Sequence, residues 1–99
     1  MKHIIHKLDK TFENRLRLGI MSVLIVNDWI DFKELKDLLE ATDGNLSSHL
    51  KGLQKQDYIE MRKQFIGNKP NTAFRVTQQG REAFQSHLDA LEKLFKNNS

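Results

Sequence analysis

Thr42 stands between two stretches of helical periodicity with almost no chain to spare. Upstream, Phe32, Leu35, Leu38 and Leu39 share one face of a helix predicted from Phe32 to about Ala41, and Asp31 followed by Glu34 is a capping-box signal at its start. Downstream, Leu46, Leu50 and Leu53 recur at i, i+4 and i+7. The Thr42 hydroxyl is a good N-cap for that helix, Asp43 suits its positive end, and the pattern runs to about Gln56. Two helices joined this tightly form a helix-turn-helix over about residues 32–56.

The flanks narrow the choice further. Ile4, Ile5, Leu8 and Phe12 predict a short N-terminal helix over about 3–12, and Asn14 can cap a second helix to about Val26. In that second helix Leu16, Ile20, Met21, Val23 and Leu24 are dense enough to be central. Asn27-Asp28 breaks the pattern before a short extended piece, Trp29 to Asp31. Beyond the helix-turn-helix, Ile59, Met61 and Phe65 alternate with Glu60, Arg62 and Gln64, so Tyr58 to Ile66 reads as a strand. Gly67 to Asn71 holds the only proline and the strongest turn chemistry, Thr72 to Val76 a second strand, and Thr77 caps a helix over about 78–95. The resulting fold is mainly α (α+β): a winged helix-turn-helix with a two-stranded β wing at about 58–76 and a long C-terminal helix. All 99 residues fit one domain, 1–99.

Charge marks the surfaces that matter. Residues 28–43 hold two basic and six acidic residues, whereas 44–77 hold six basic and two acidic. The net charge of +3 therefore conceals a basic segment that coincides with the second helix and the wing, and it points to a polyanion. Opposite the leucines of helix 43–56 lie Gly44, Ser48, Lys51 and Lys55, flanked by Asn45 and Ser47. Short donors and acceptors at its start, with cations toward its end, suit a helix that brings base edges and phosphates within reach. Gly44 costs about 1 kcal/mol relative to Ala in a helix, a cost that close approach to DNA would justify. In the hairpin, Arg62, Lys63, Lys69 and Arg75 accompany Asn68 and Asn71, with no acid between Glu60 and Glu82. Such a wing can follow a phosphate backbone or place a side chain in the minor groove. The alternative for both surfaces is a solvated helix face and a hairpin blunted by cations against edge pairing.

The terminal helix carries Phe84, His87, Leu91 and Leu94 at 3-4-3 spacing, and Leu88 and Phe95 widen the stripe beyond what a small core with one hairpin needs. Together with Ile4, Ile5, Leu8 and Phe12 it predicts a homodimer built from the first and last helices. Otherwise both helices fold onto their own core. A hydrophobic content of 38% is lean for a domain and fits a core finished by a second subunit.

Other chemistry is scarce. The absence of Cys removes disulfides, Cys-ligated zinc, iron–sulfur clusters and thiol catalysis. His3 and His6 have metal-like spacing, but no acidic pair completes a site; His49 reads as a helix-surface residue, and Trp29 and Tyr58 as packing residues. No Gly-rich phosphate loop or Ser/His/Asp constellation is present, so no enzyme, metal or cofactor is expected. The longest apolar stretch, Leu18 to Val26, is about half a membrane span, and the N-terminal residues lack the apolar run of a secretory signal. A cytoplasmic setting without a membrane partner is expected.

The runs Asn14-Arg15-Leu16-Arg17-Leu18-Gly19-Ile20, Ile30 to Leu35 and Thr42-Asp43-Gly44-Asn45-Leu46-Ser47-Ser48-His49-Leu50 resemble the small winged-helix transcriptional regulators related to the MarR and ArsR families. Asp57-Tyr58-Ile59, Phe65 to Thr72 and the helix start Val76-Thr77-Gln78-Gln79-Gly80-Arg81 extend the resemblance over about residues 10–95. It implies a homodimeric, sequence-specific regulator of transcription that binds double-stranded DNA. By position it places Asp43, Gly44, Asn45, Ser47, Ser48 and Lys51 in the major groove, and Lys69 with its neighbours at the wing tip. Metal sensing of the ArsR kind does not carry over, because every Cys is missing. A small-molecule effector would have to bind at the dimer interface, and no residue identifies one. The competing function is a winged-helix protein–protein interaction module without DNA binding, using the acidic helix 32–41 or the terminal stripe.

Overall fold

In a computed structural model that describes residues 2–97 and the side chains of 3–96, each long helix begins where a short polar side chain accepts an orphan backbone N–H. Met1, Asn98 and Ser99 lie outside the described residues. Asn14 Oδ1 accepts from the N–H of Arg17 at 3.0 Å, Asp31 Oδ1 from Glu34 at 2.8 Å, Thr42 Oγ1 from Asn45 at 3.2 Å and Thr77 Oγ1 from Gly80 at 2.9 Å. These caps open α2 (Arg15–Ile25), α3 (Phe32–Leu39), α4 (Asp43–Lys55) and α5 (Gln78–Asn97). A four-residue α1 (Lys2–Ile5) and a 3-10 turn (Lys10–Phe12) precede them. Three strands, β1 (Ile30–Asp31), β2 (Ile59–Ile66) and β3 (Lys69–Val76), complete the chain.

The tight turn is closed from the α3 side. Glu40 adopts φ +49°, and the N–H of Ala41 reaches back to the carbonyl of Lys36 at 3.1 Å, a Schellman-type ending. Only Glu40, Ala41 and Thr42 therefore separate α3 from α4.

The sheet is antiparallel, in the order β1-β3-β2. β2 and β3 pair from Ile59↔Val76 to Ile66↔Lys69, and the short extended piece expected before α3 joins as β1 through Ile30↔Phe74. The hairpin loop is only Gly67-Asn68, shorter than the sequence suggests, and Gly67 at φ +65° takes the first loop position, where positive φ is needed. Pro70 and Asn71 thus lie inside β3. In a two-residue hairpin the pair next to the closing one is not hydrogen-bonded, so the missing N–H of Pro70 falls on the side left open beyond the short β1.

Phe12, Ile20, Met21, Leu24, Leu35, Leu46 and Leu53 are fully buried, and Leu50, Ile59, Phe74, Val76 and Phe84 close the core around them. α4 therefore spends its leucines inward and leaves its polar face free.

The N-terminus departs from the predicted helix over 3–12. Asp9 sits in extended backbone between α1 and the 3-10 turn, tied in three directions. Its N–H donates to His87 Nδ1 at 3.0 Å, its Oδ1 accepts from the Thr11 N–H at 2.9 Å and its Oδ2 accepts from the Tyr58 hydroxyl at 2.6 Å. Burial works against the Asp9 charge, but the Tyr58 hydroxyl and the Thr11 N–H outweigh it, and the carboxyl titrates below its ordinary value. Burial and the same carboxylate push the Tyr58 hydroxyl up to about 12.

The fold favours the neutral phenol, so this contribution to stability is complete below the ordinary value of 10.0 and is lost as pH rises through about 12. The depressed Asp9 carboxyl contributes above its ordinary value of 3.8 and loses that contribution as pH falls below it. Urea unfolding at stepped pH is expected to show stability falling between pH 10.0 and about 12 in the wild type. Tyr58→Phe is expected to flatten that alkaline limb; an identical limb in the variant would remove Tyr58 as its source.

Candidate nucleic-acid interface

Asp43, Gly44, Asn45, Ser48, Lys51 and Lys55 are exposed on the outer face of α4, and Ser47 is half-buried beside them. Asp43 is paired: its carboxylate is 2.9 Å from Lys36 Nζ, and this contact raises the Lys36 ammonium above its ordinary value. The pair offsets the one acid on the face with a cation of α3. What remains outward is Asn45 and Ser48 in the first turns and two lysines in the last, neither with an acidic partner among the described residues.

A Cβ at Gly44 would meet nothing within 4 Å, so no packing inside the subunit requires glycine there. Gly44→Ala is expected to stabilise the fold by about 0.5–1 kcal/mol, because Ala loses less backbone freedom in a helix. The same variant is expected to weaken duplex binding if the helix backbone approaches DNA at this point. Thermal unfolding and duplex titration of one preparation check both, and unchanged affinity would place Gly44 off the contact surface.

The wing cations differ in exposure. Lys63 and Lys69 are exposed, as is Asn68 in the loop, while Asn71 is half-buried with Nδ2 3.4 Å from Asp31 Oδ2. Lys69, Pro70, Ile66 and Met61 border a cleft of about 650 Å³ whose far wall is Ser47 and Lys51 of α4. The wing tip and the outward face of α4 thus share one concavity.

Unlike the wing lysines, Arg62 and Arg75, grouped with them in the sequence, have partners within the subunit. Alternation along β2 and β3 sends them to the opposite hairpin face from Met61 and Phe74. There their guanidinium carbons lie 4.4 and 4.5 Å from the centroid of Trp29. Arg75 Nε also donates to Glu60 at 2.9 Å, and its Nη1 is 3.7 Å from Asp28. Glu60 foremost holds the Arg75 guanidinium above its ordinary range. Trp29 engages both arginines and two carboxylates engage Arg75, while each side chain stays half-buried.

The terminal stripe divides in the same way. Phe12, Phe84 and His87 were expected at a dimer interface, but they are 0%, 6% and 4% exposed and pack inside the subunit. Phe12 is ringed by Tyr58, Phe84 and His87, at centroid distances of 5.3, 5.1 and 5.4 Å. The outer edge stays open: Ile5 is 55% exposed, Leu88 40% and Phe95 79%, with Ile4, Leu8, Leu91 and Leu94 half-buried.

Arg17 of α2 is the residue that sequence reading missed. Its Nε donates to His49 Nδ1 at 3.0 Å, and its guanidinium lies where a Cβ at Gly52 would stand, on the outward side of α4. The available signal was Gly52, a second glycine inside the helix.

His3 and His6 are both exposed, and among the described residues no group of three or more His, Cys, Asp or Glu side chains could hold a metal ion. No described helix is long and apolar enough to cross a membrane.

A family model described as a winged helix DNA-binding domain matches residues 16–95. An uncharacterized protein of Methanocaldococcus jannaschii is 34% identical over 88 residues, covering 89% of this chain and 96% of that one. The solved structure of a transcriptional regulator homologue from Pyrococcus horikoshii OT3 superposes with a TM-score of 0.82 at 28% identity, covering 99% of this chain and 95% of the other. Both the elements and their connections are therefore shared with a protein of that description.

Proposed function

This chain belongs to the winged helix DNA-binding domain family, and from that premise we propose that it is a non-enzymatic regulator of transcription. It binds double-stranded DNA sequence-specifically, as a homodimer, in the compartment where the DNA lies. The observation that carries the reading is the outward face of α4, which presents Asn45, Ser48, Lys51 and Lys55 beside a cleft closed by Lys69 of the wing. Asn and Ser suit base edges, and lysines suit phosphates, so α4 enters the major groove with the wing on the adjacent backbone.

Two copies would place their α4 helices about 34 Å apart, one turn of duplex, and read a two-fold symmetric site. Support for the dimer comes from the shape of the subunit. Its Cα radius of gyration is 15.1 Å, against about 13 Å for a compact domain of this length. The longest axis is 55 Å, in a chain whose last helix is 20 residues long and carries Leu88 and Phe95 on an open edge. A small-molecule effector, if one acts, would lie along that α1/α5 edge.

Selection of bound duplexes from a random pool tests the whole reading, because it reports binding, preference and half-site symmetry together. Lys51→Ala and Lys69→Ala are each expected to lower affinity and to reduce the slope of log affinity against log salt by about 0.9. Wild-type affinity and slope in both would sink the assignment of α4 and the wing. No shift of any duplex at low salt would favour the protein-interaction module instead.

A further inference from the structure

Arg17 is a residue of α2 whose guanidinium belongs, by position, to α4. Its Nε donates to His49 Nδ1 at 3.0 Å and its Nη1 lies 3.5 Å from the Thr11 carbonyl oxygen. Gly52 leaves the space it fills, since any Cβ there would overlap it. The guanidinium forms one wall of a depression of about 600 Å³, opposite Ser48, Lys51 and Lys55.

That lining contains no carboxylate, and none of its three cations has an acidic partner among the described residues. A purely structural bridge would gain little from a third positive charge beside two lysines, because like charges around one concavity repel. The arrangement becomes favourable when an anion sits between them. Nε and Nη1 are engaged by His49 and Thr11, whereas Nη2 has no acceptor among the described residues and so keeps N–H donors available to a phosphate oxygen.

We propose that this depression seats a phosphodiester of the DNA backbone at the edge of the major groove, with Arg17 as its third cation. Gly52 and His49 are positioning residues: Gly52 provides the space, and His49 fixes the guanidinium through Nε. The proposal rests on the DNA-binding reading and adds to it a contact from outside the helix-turn-helix. It also accounts for Gly52, a residue that weakens a helix and yet lies inside α4.

The test is duplex titration at stepped salt with the full chain, each variant first checked for wild-type circular dichroism. Arg17→Ala is expected to lower the slope of log affinity against log salt by about 0.9, which is about eightfold weaker binding at 0.1 M salt, on specific and random duplexes alike. Gly52→Ala keeps every charge but displaces the guanidinium, so it should shift the slope in the same direction. In the Arg17→Ala background Gly52→Ala should add nothing, because both act on one contact. Wild-type slope in Arg17→Ala overturns the phosphate seat, as does a further loss from Gly52→Ala in that background. Both results leave the α4 and wing assignment standing. A wild type that binds no duplex removes the DNA-binding reading and this contact with it.

Discussion

Phe12→Ala is expected to cost about 3–5 kcal/mol of stability, the largest effect of any single truncation considered. The Phe12 side chain is fully buried, and three rings surround it. Tyr58 stacks at 25°, Phe84 meets it edge-on at 85° and His87 is tilted at 60°. Aromatic pairs of this kind contribute about 0.5–1.5 kcal/mol each beyond their area. The cavity would open where the 3-10 turn, the start of β2 and α5 converge, with few neighbours free to collapse into it. A domain of this size is stable by only about 5–15 kcal/mol, so the variant should unfold at a much lower urea concentration. Urea unfolding followed by circular dichroism measures this, and a loss under about 1 kcal/mol would mean that Phe12 is not a core residue.

Phe12 also shows where sequence reading stops. Its spacing from Ile4, Ile5 and Leu8 is helical, and that periodicity joined it to an N-terminal helix with an apolar outer face. Asp9 breaks the helix, but the reasons lie 49 and 78 positions away, in the Tyr58 hydroxyl and the His87 imidazole. Local pattern cannot see such ties. By contrast, the caps at Asn14, Asp31, Thr42 and Thr77 are satisfied within three residues of themselves, so those helix starts could be read directly. α4 was legible for the same reason, since its core leucines and its polar face are both set by helical period.

The wing was legible in existence but not in detail. Counting cations along the strands grouped Arg62 and Arg75 with Lys63 and Lys69, whereas the two arginines lie over Trp29 toward the base of the hairpin, Lys63 falls on the opposite face and Lys69 stands at the tip. Register depends on the loop, and the loop proved to be two residues because Gly67 alone supplies the positive φ. Arg17 was hidden for a different reason. It contributes to the α4 face from another helix, and only its effect on Gly52 leaves a trace in the sequence.

Phe95→Glu is the converse experiment, expected to leave the subunit folded and dissolve the dimer. Phe95 is 79% exposed, so removing it opens no cavity, and a carboxylate there stays in water as long as the subunit is alone. On α5 the buried positions Phe84, His87 and Ala90 fill one flank of the apolar stripe, while Leu88, Leu91 and Phe95 form the other flank at i, i+3 and i+7. Ile5 of α1 adds to that open flank. Two such edges packed together about a two-fold axis would bury each phenyl ring, and the variant would instead bury two like charges without partners. Light scattering is expected to give a monomer for Phe95→Glu with an unchanged circular dichroism spectrum and near wild-type stability, unlike Phe12→Ala, which destabilises the fold itself. Affinity for a duplex with two half-sites is expected to fall by about 10²–10⁴, because the second α4 no longer arrives tethered to the first. Affinity for a single half-site should hardly change. A dimer that persists in Phe95→Glu would move the two-fold axis off this edge of α5, and a two-site affinity that survives in the monomer would separate operator binding from dimerisation altogether.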